Sequence, residues 1–212
     1  MKINVKNNLP DDVEVHMTQT FDGSVTIILS EAKLSETKSR ILGDAKPGEV
    51  VKIGDREYIV LEHDDNKTLV ITKEFVTKKM SFGNSSDYKK SEVRKYVTET
   101  FYAELCNVVG KENIYSHKVN LMCDDGSNKN DYVEDFVSIL TTEEYRRYRE
   151  LIPAYGDWWW TASATTVLGE NYFRGVCYVG SHGIVNWVVC GRGHTCGVRP
   201  FCILNSSIPL SD

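Results

Sequence analysis

The side chains best suited to chemistry crowd into the last quarter of the chain. Cys190 and Cys196 flank His194, with Cys177 and His182 a short way upstream. Thiol and imidazole donors this close together raise a zinc reading. Structural zinc sites use regularly spaced pairs on knuckles, however, and no Cys-x-x-Cys occurs here. The spacing favours small side chains on strands and in a loop. A disulfide is the other possibility, Cys190–Cys196 being the pair whose loop could close locally. Without an export signal, a reduced chain is the default. Nucleophilic catalysis needs a base beside the Cys or Ser. The histidines His16, His63, His117, His182 and His194 are scattered, and no Gly-x-Ser-x-Gly elbow is present. Gly191-Arg192-Gly193 lacks the strand–loop–helix setting and the lysine of a phosphate cradle. From Trp158 to Asp212 only Glu170, Arg174, Arg192, Arg199 and Asp212 are charged, which rules out a paired-carboxylate site there. The acidic loop from Asp124 to Asp131 lacks the ligand phase and closing Glu of an EF-hand, and reads as an exposed turn. The chemistry points to a non-catalytic protein with no metal and no cofactor.

What must position these residues is a chain of 212 residues with a net charge of −5, 41% of it hydrophobic. The mild negative charge argues against binding a nucleic-acid backbone. No apolar run approaches the ~20 residues of a membrane span, so no membrane insertion is expected. The first residues lack the apolar stretch of a signal peptide. Synthesis in the cytoplasm is implied, with later display on a virion or cell surface open. The averages conceal an asymmetry. All 16 lysines lie at or before Lys129, whereas all four tryptophans lie at or after Trp158.

Two alternating runs, Val13–Met17 and Val25–Leu29, flank the turn signal Asp22-Gly23 and predict a β-hairpin. Such a hairpin is marginal alone and should pack on the body, on another copy or on a larger assembly. The polar stretch from Glu31 to Arg40 reads as a linker or a short solvated helix. Three short strands follow, over Glu49–Ile53, Glu57–Leu61 and Thr68–Thr72. Ser91 can cap a helix over Glu92–Val109, with Val93, Val97, Phe101, Leu105 and Val108 at helical spacing and Gly110 closing it. Thr141-x-x-Glu144 is a capping box for a second helix running to Pro153. Strands over Phe173–Val179, Ile184–Val189 and Val198–Leu204 complete an α+β order.

The charge-poor last quarter is rich in Tyr, Trp, His, Arg, Ser, Thr, Gly and Asn. Tyr and Trp supply rigid contact area, and the small polar residues adaptable hydrogen bonds, as in a recognition surface. Core filling is the competing reading. It suits Trp159 and Trp160 better than Tyr172, Arg174, Tyr178, Trp187, Arg192 and His194.

Several blocks here resemble a known family. Trp158-Trp159-Trp160-Thr161-Ala162-Ser163 is similar to a WWLRS-type block, Tyr178–Asn186 to YVNSDGSVN, and Gly197-Val198-Arg199-Pro200 to a terminal GVRP block. Upstream, Ser91–Val97 and Val137–Tyr145 resemble the family's helix-start and L-L-s-x-x-E-Y blocks. Together, over about residues 46–206, they resemble a bacterial and phage domain of C-type-lectin-like fold. Its members include the variable proteins of diversity-generating retroelements. In those proteins the diversified positions lie between the Trp and GVRP blocks, and adenine-directed mutation excludes Trp, Lys, Met, Gln and Glu. From Thr161 to Cys196 only Glu170 and Trp187 fall outside the permitted set. Ala162 stands where the block usually has Arg, and His182 where Asp is common. No Glu-Pro-Asn or Gln-Pro-Asp occurs, so calcium-mediated sugar binding is not implied.

The resemblance implies an α+β, C-type-lectin-like fold, with two helices packed on short antiparallel sheets and an N-terminal β-hairpin extension. Residues 1–45 would be that extension, a candidate oligomerisation or docking element. Residues 46–212 would be the ligand-binding domain, with a variable-type segment at about 161–196. Its function would be recognition of a protein or cell-surface ligand. The contact residues would be Ala162, Ala164, Thr165, Tyr172, Arg174, Tyr178, Ser181, His182, Asn186, Trp187, Arg192, His194 and Thr195. Trp159, Trp160, Gly183, Gly197, Arg199 and Pro200 would form the supporting frame. Arg199 is expected to be buried, tying the last strand to a loop through carbonyl or carboxylate hydrogen bonds. Two alternatives stay open: a virion structural or assembly protein, and a formylglycine-generating-type enzyme relative using Cys190 and Cys196.

Overall fold

Alternating β-branched residues at the start of the chain form an antiparallel ribbon of β1 (Val13–Gln19) and β2 (Val25–Glu31), in register from Val13↔Glu31 to Gln19↔Val25. The computed structural model describes residues 13–19, 25–31, 40–128, 131–166 and 175–211. The expected Asp22-Gly23 turn and most of the linker lie outside them. Chain contacts divide the molecule into two units, Met1–Lys38 and Ser39–Asp212. Leu42 and Ala45, assigned to the extension from sequence, lie in the core of the second unit.

That unit begins with the meander β3 (Val50–Ile53), β4 (Arg56–Asp64) and β5 (Lys67–Thr72). Its turns use positive φ at Gly54 and Asp65. A strand not anticipated from sequence follows, β6 (Thr77–Ser81). The Ser91 hydroxyl then accepts from the Arg94 amide at 2.9 Å and starts a long helix. It runs as α1 (Glu92–Lys95), a π-helical stretch (Tyr96–Phe101) and α2 (Tyr102–Val109), and ends at Gly110 with φ +82°. The wide π turns keep residues four apart on one face, burying Val93, Val97, Phe101 and Leu105. Val108, three beyond Leu105, is turned outward and is 53% exposed, contrary to the helical spacing.

Short strands β7 (Ile114–Tyr115), β8 (His117–Asn120), β9 (Tyr132–Asp135) and β10 (Val137–Ile139) lead to α3 (Thr142–Tyr148). Here both halves of the capping box are made. The Glu144 amide donates to Thr141 Oγ1 at 3.1 Å, and the Thr141 amide to Glu144 Oε2 at 2.8 Å. The helix stops at Tyr148, short of the expected end at Pro153. Five strands follow: β11 (Trp159–Ala164), β12 (Gly175–Val179), β13 (Val185–Val189), β14 (Thr195–Val198) and β15 (Pro200–Asn205).

The described strands of this unit build two main sheets. One has the order β10-β15-β5-β4-β3, with β7 also on β15; the other runs β13-β12-β11-β14-β6. β11 and β14 are parallel, joined at Trp159↔Gly197. Both faces of β11 and β12 are covered, and every residue of either strand is buried. The architecture is α+β, dominated by sheet, with one long helix.

His117 on β8 pairs with Asp135 on β9, sets Nε2 2.8 Å from Ser138 Oγ and turns its ring edge-on to Phe201. Burial pulls its pKa down to about 4, while nearby Asp135 opposes the shift. A buried neutral imidazole must gain a proton in acid, and the unfolded chain takes that proton more readily. Stability is therefore complete above the free histidine pKa of about 6.5 and is lost as pH falls from there toward 4. The expected loss is about 3 kcal/mol. Denaturant midpoints between pH 7 and 4 should fall less steeply for His117→Gln than for the parent.

Candidate functional site

Trp159 and Trp160, adjacent on β11, point to opposite faces of the sheet and anchor two cores. Trp160 is 1% exposed, donates Nε1 to the Met80 carbonyl at 2.7 Å and meets Phe82 and Tyr178 edge-on. Trp159 packs edge-on against Tyr145, whose hydroxyl donates to the Gly183 carbonyl at 2.9 Å. Gly183 itself has φ +74°, and a Cβ there would lie 2.9 Å from that hydroxyl. This holds the β12–β13 turn on α3. Gly197 serves close approach differently, since a Cβ would stand 2.6 Å from the Phe75 ring. Pro200 is buried at the head of β15, opposite Ile139.

Arg199 is 1% exposed, and its Nε donates to the Thr72 carbonyl at 2.9 Å. Its guanidinium lies 5.2 Å from the Trp159 ring and 5.6 Å from that of Tyr155, which hydrogen-bonds Glu74. Burial lowers its pKa to about 10, partly offset by Glu74, and it stays charged at neutral pH. Cation–ring contacts and a carbonyl thus fasten the last strand to the end of β5.

Above this frame, the exposed side chains follow the turn after β12, then β13, then the loop into β14. His182, Asn186, Arg192, His194 and Thr195 are exposed, Trp187 is half exposed at 50%, and Ser181 is partly buried. The Ser181 hydroxyl lies 3.0 Å from His182 Nδ1. Three of the expected contact residues are corrected. Ala162 and Ala164 are 2% and 1% exposed, and Tyr178 is 8% exposed, because β11 and β12 are inner strands covered on both faces. Burial accordingly raises the Tyr178 pKa. Thr165 is partly buried, its amide donating to the Gly175 carbonyl at 3.0 Å. Tyr172 and Arg174 lie outside the described residues.

Two surface residues were not singled out from sequence. Ile184 is 58% exposed just beyond the Gly183 turn. Trp158 is 45% exposed and stacks on Tyr178 with ring centroids 5.1 Å apart. The signal for Trp158 was its place before a strand that buries its next two tryptophans. Nothing local marks Ile184.

Comparison with protein-family models, curated proteins and solved structures finds no match to this chain. The chemistry of the site is therefore read from its geometry alone.

The cysteines are thiols, and four of them are buried. Desolvation pushes both Cys177 and Cys196 up to about 12, so neither is a thiolate at neutral pH. Among the described residues, no three His, Cys, Asp or Glu side chains converge as a metal-binding group. In the acidic loop, Asp124 is tied to Arg146 at 2.8 Å and Asp125 accepts from the Ser127 amide at 2.9 Å. The Asp124 and Asp125 amides bond the carbonyls of Ala164 and Thr165, fastening that loop to the end of β11. A cavity of about 230 Å³ beside the long helix is lined in part by Arg56 and Glu104, ion-paired at 2.6 Å, and involves none of the expected site residues.

Proposed function

We propose that the protein is a non-catalytic recognition module of C-type-lectin-like fold, resembling the variable proteins of diversity-generating retroelements. It would display its C-terminal face to a protein or cell-surface target. The observation that carries this reading is the contrast between neighbouring strands. β11 and β12 are wholly buried, whereas β13 and the loops at its ends expose Ile184, Asn186, Trp187, Arg192, His194 and Thr195. A rigid layer thus carries a nearly uncharged layer of varied side chains that could change without disturbing what lies beneath. The raised pKa of Cys196 weighs against the oxidase-type alternative, which needs a reactive thiol.

The test is a display experiment. The whole chain is presented on yeast against candidate host-cell surfaces, and the bound target is then challenged with the variant Asn186→Ala/Arg192→Ala/His194→Ala. Binding should be lost. Retention of full affinity would place the contact surface elsewhere. In the encoding DNA, a reverse transcriptase beside a near-copy of the 3′ coding end would establish diversification.

The N-terminal ribbon is proposed as the element through which copies associate, since two strands alone are marginal in water. Deleting residues 1–38 should convert a multimer to a monomer in analytical ultracentrifugation. An unchanged mass would remove that role.

A further inference from the structure

The turn between β3 and β4 runs close beneath the long helix. Gly54 there has φ +59°, and a Cβ on it would lie 2.7 Å from Val108 Cγ1. Val108 thus stands on the turn while it stays 53% exposed. Two depressions meet at this contact, and Ile53 and Val108 line both. The smaller, of about 230 Å³, reaches past Asp55, Arg56 and Glu104. The larger, of about 490 Å³, extends along Val109, Ile208 and Pro209. Their floors belong to the core, since Ile53, Tyr58, Phe101, Leu105 and Ile208 are each at most 5% exposed. Two linked hollows of this size, mostly apolar with a few polar groups, match a small-molecule cleft better than a flat protein contact.

Charge selects the ligand. Three charged side chains line the furrow, Asp55, Arg56 and Glu104, all at its smaller end. Arg56 is already engaged. Its Nη2 lies 2.6 Å from Glu104, and its guanidinium carbon is 5.2 Å from the centre of the Phe101 ring. Asp55, exposed on the turn, has no ion pair or hydrogen bond among the described residues. One negative charge is therefore left over at that end. A cationic head group is favoured there, and an anionic one would meet two carboxylates. No charged side chain lines the larger depression, so a second ammonium at the far end of a ligand would find no partner. An uncharged aliphatic chain fits that end.

We propose that this furrow binds a small aliphatic primary amine, its ammonium at Asp55 and its chain lying over Val108 toward Ile208. The compact ammonium supplies the missing positive charge, and burial of the chain against the valines and Ile208 supplies most of the affinity. The furrow shares no residue with the proposed recognition face, so it can be occupied whether or not that face binds a target.

The test titrates the full-length protein, 13C-labelled at its Ile, Leu and Val methyls, with n-octylammonium chloride below its micelle concentration. Saturable shifts are expected at Ile53, Leu105, Val108 and Ile208. Shortening the chain from octyl to hexyl should weaken binding about fourfold, because a methylene in an open furrow gains about half of what full burial gives. Octanoate should bind about tenfold more weakly than the amine. Asp55→Asn should weaken the amine about fivefold and leave n-octanol unchanged. Val108→Lys sets a cation across the furrow at an exposed position and should weaken the amine more than about tenfold. Absence of saturable shifts at these methyls in the parent overturns the inference. Octanoate binding as tightly as the amine overturns it as well. So do equal shifts at Ile184 and the other exposed apolar residues, which would make the probe an adventitious additive only. Shifts of Val108 and Ile208 on dilution of the protein alone overturn it too, by making a second copy the occupant.

Discussion

Trp160→Ala is expected to lower stability by about 4 kcal/mol, the largest effect of any single substitution considered for this domain. The indole is 1% exposed, and its Nε1 supplies the Met80 carbonyl with a hydrogen bond from β11 to β6, across the intervening β14. Truncation opens a cavity between Phe82 and Tyr178 that neither ring can fill, since both are held by their own strands and loops. It also leaves the Met80 carbonyl without that donor. For a domain of this length the melting temperature should fall by about 10 °C. Trp160→Phe keeps most of the apolar volume and should lose roughly half as much. Thermal melts of the three proteins measure both values. A drop of only a degree or two for the alanine variant would mean that Trp160 does not anchor the sheet.

Arg94→Ala should come next, at about 3 kcal/mol. Asp135 has a side chain only 3% exposed and accepts two bonds from Arg94, Nε at 3.0 Å and Nη2 at 2.7 Å. Removing the arginine strands a buried carboxylate beside His117. Replacing both residues should cost less than the sum of the single changes, because the penalty lies in the unpaired charge. Urea unfolding of Arg94→Ala, Asp135→Ala and the double variant closes that cycle. Additive losses would mean that the two side chains act independently.

Much of the frame is legible in the sequence because its signals are local. Ser91, the Thr141–Glu144 box and the Gly and Asp turns of the meander each act within a few residues of themselves. The hairpin ribbon follows from two β-rich runs flanking an Asp-Gly turn signal. What stays hidden depends on partners distant in the chain. β6 reads as a polar segment until β14 pairs with it, and the parallel contact of Trp159 with Gly197 has no local mark. The π turns that rotate Val108 outward break a spacing argument built on 3.6 residues. The candidate site suffers from a deeper ambiguity. A charge-poor run of small and aromatic residues suits both a recognition surface and a strand buried on two faces. Ala162, Ala164 and Tyr178 proved to be the second kind, because β11 and β12 are inner strands, whereas β13, the last of the described strands on that side of the sheet, exposes Asn186 and Trp187.

A face that serves recognition must be separable from the frame beneath it. The most direct test measures the melting temperature of Asn186→Ala/Arg192→Ala/His194→Ala and its affinity for a displayed target on the same preparation. The expected result is a melting temperature within about 2 °C of the parent, together with lost binding. A variant that melts as low as Trp160→Ala, or that binds as tightly as the parent, would contradict it.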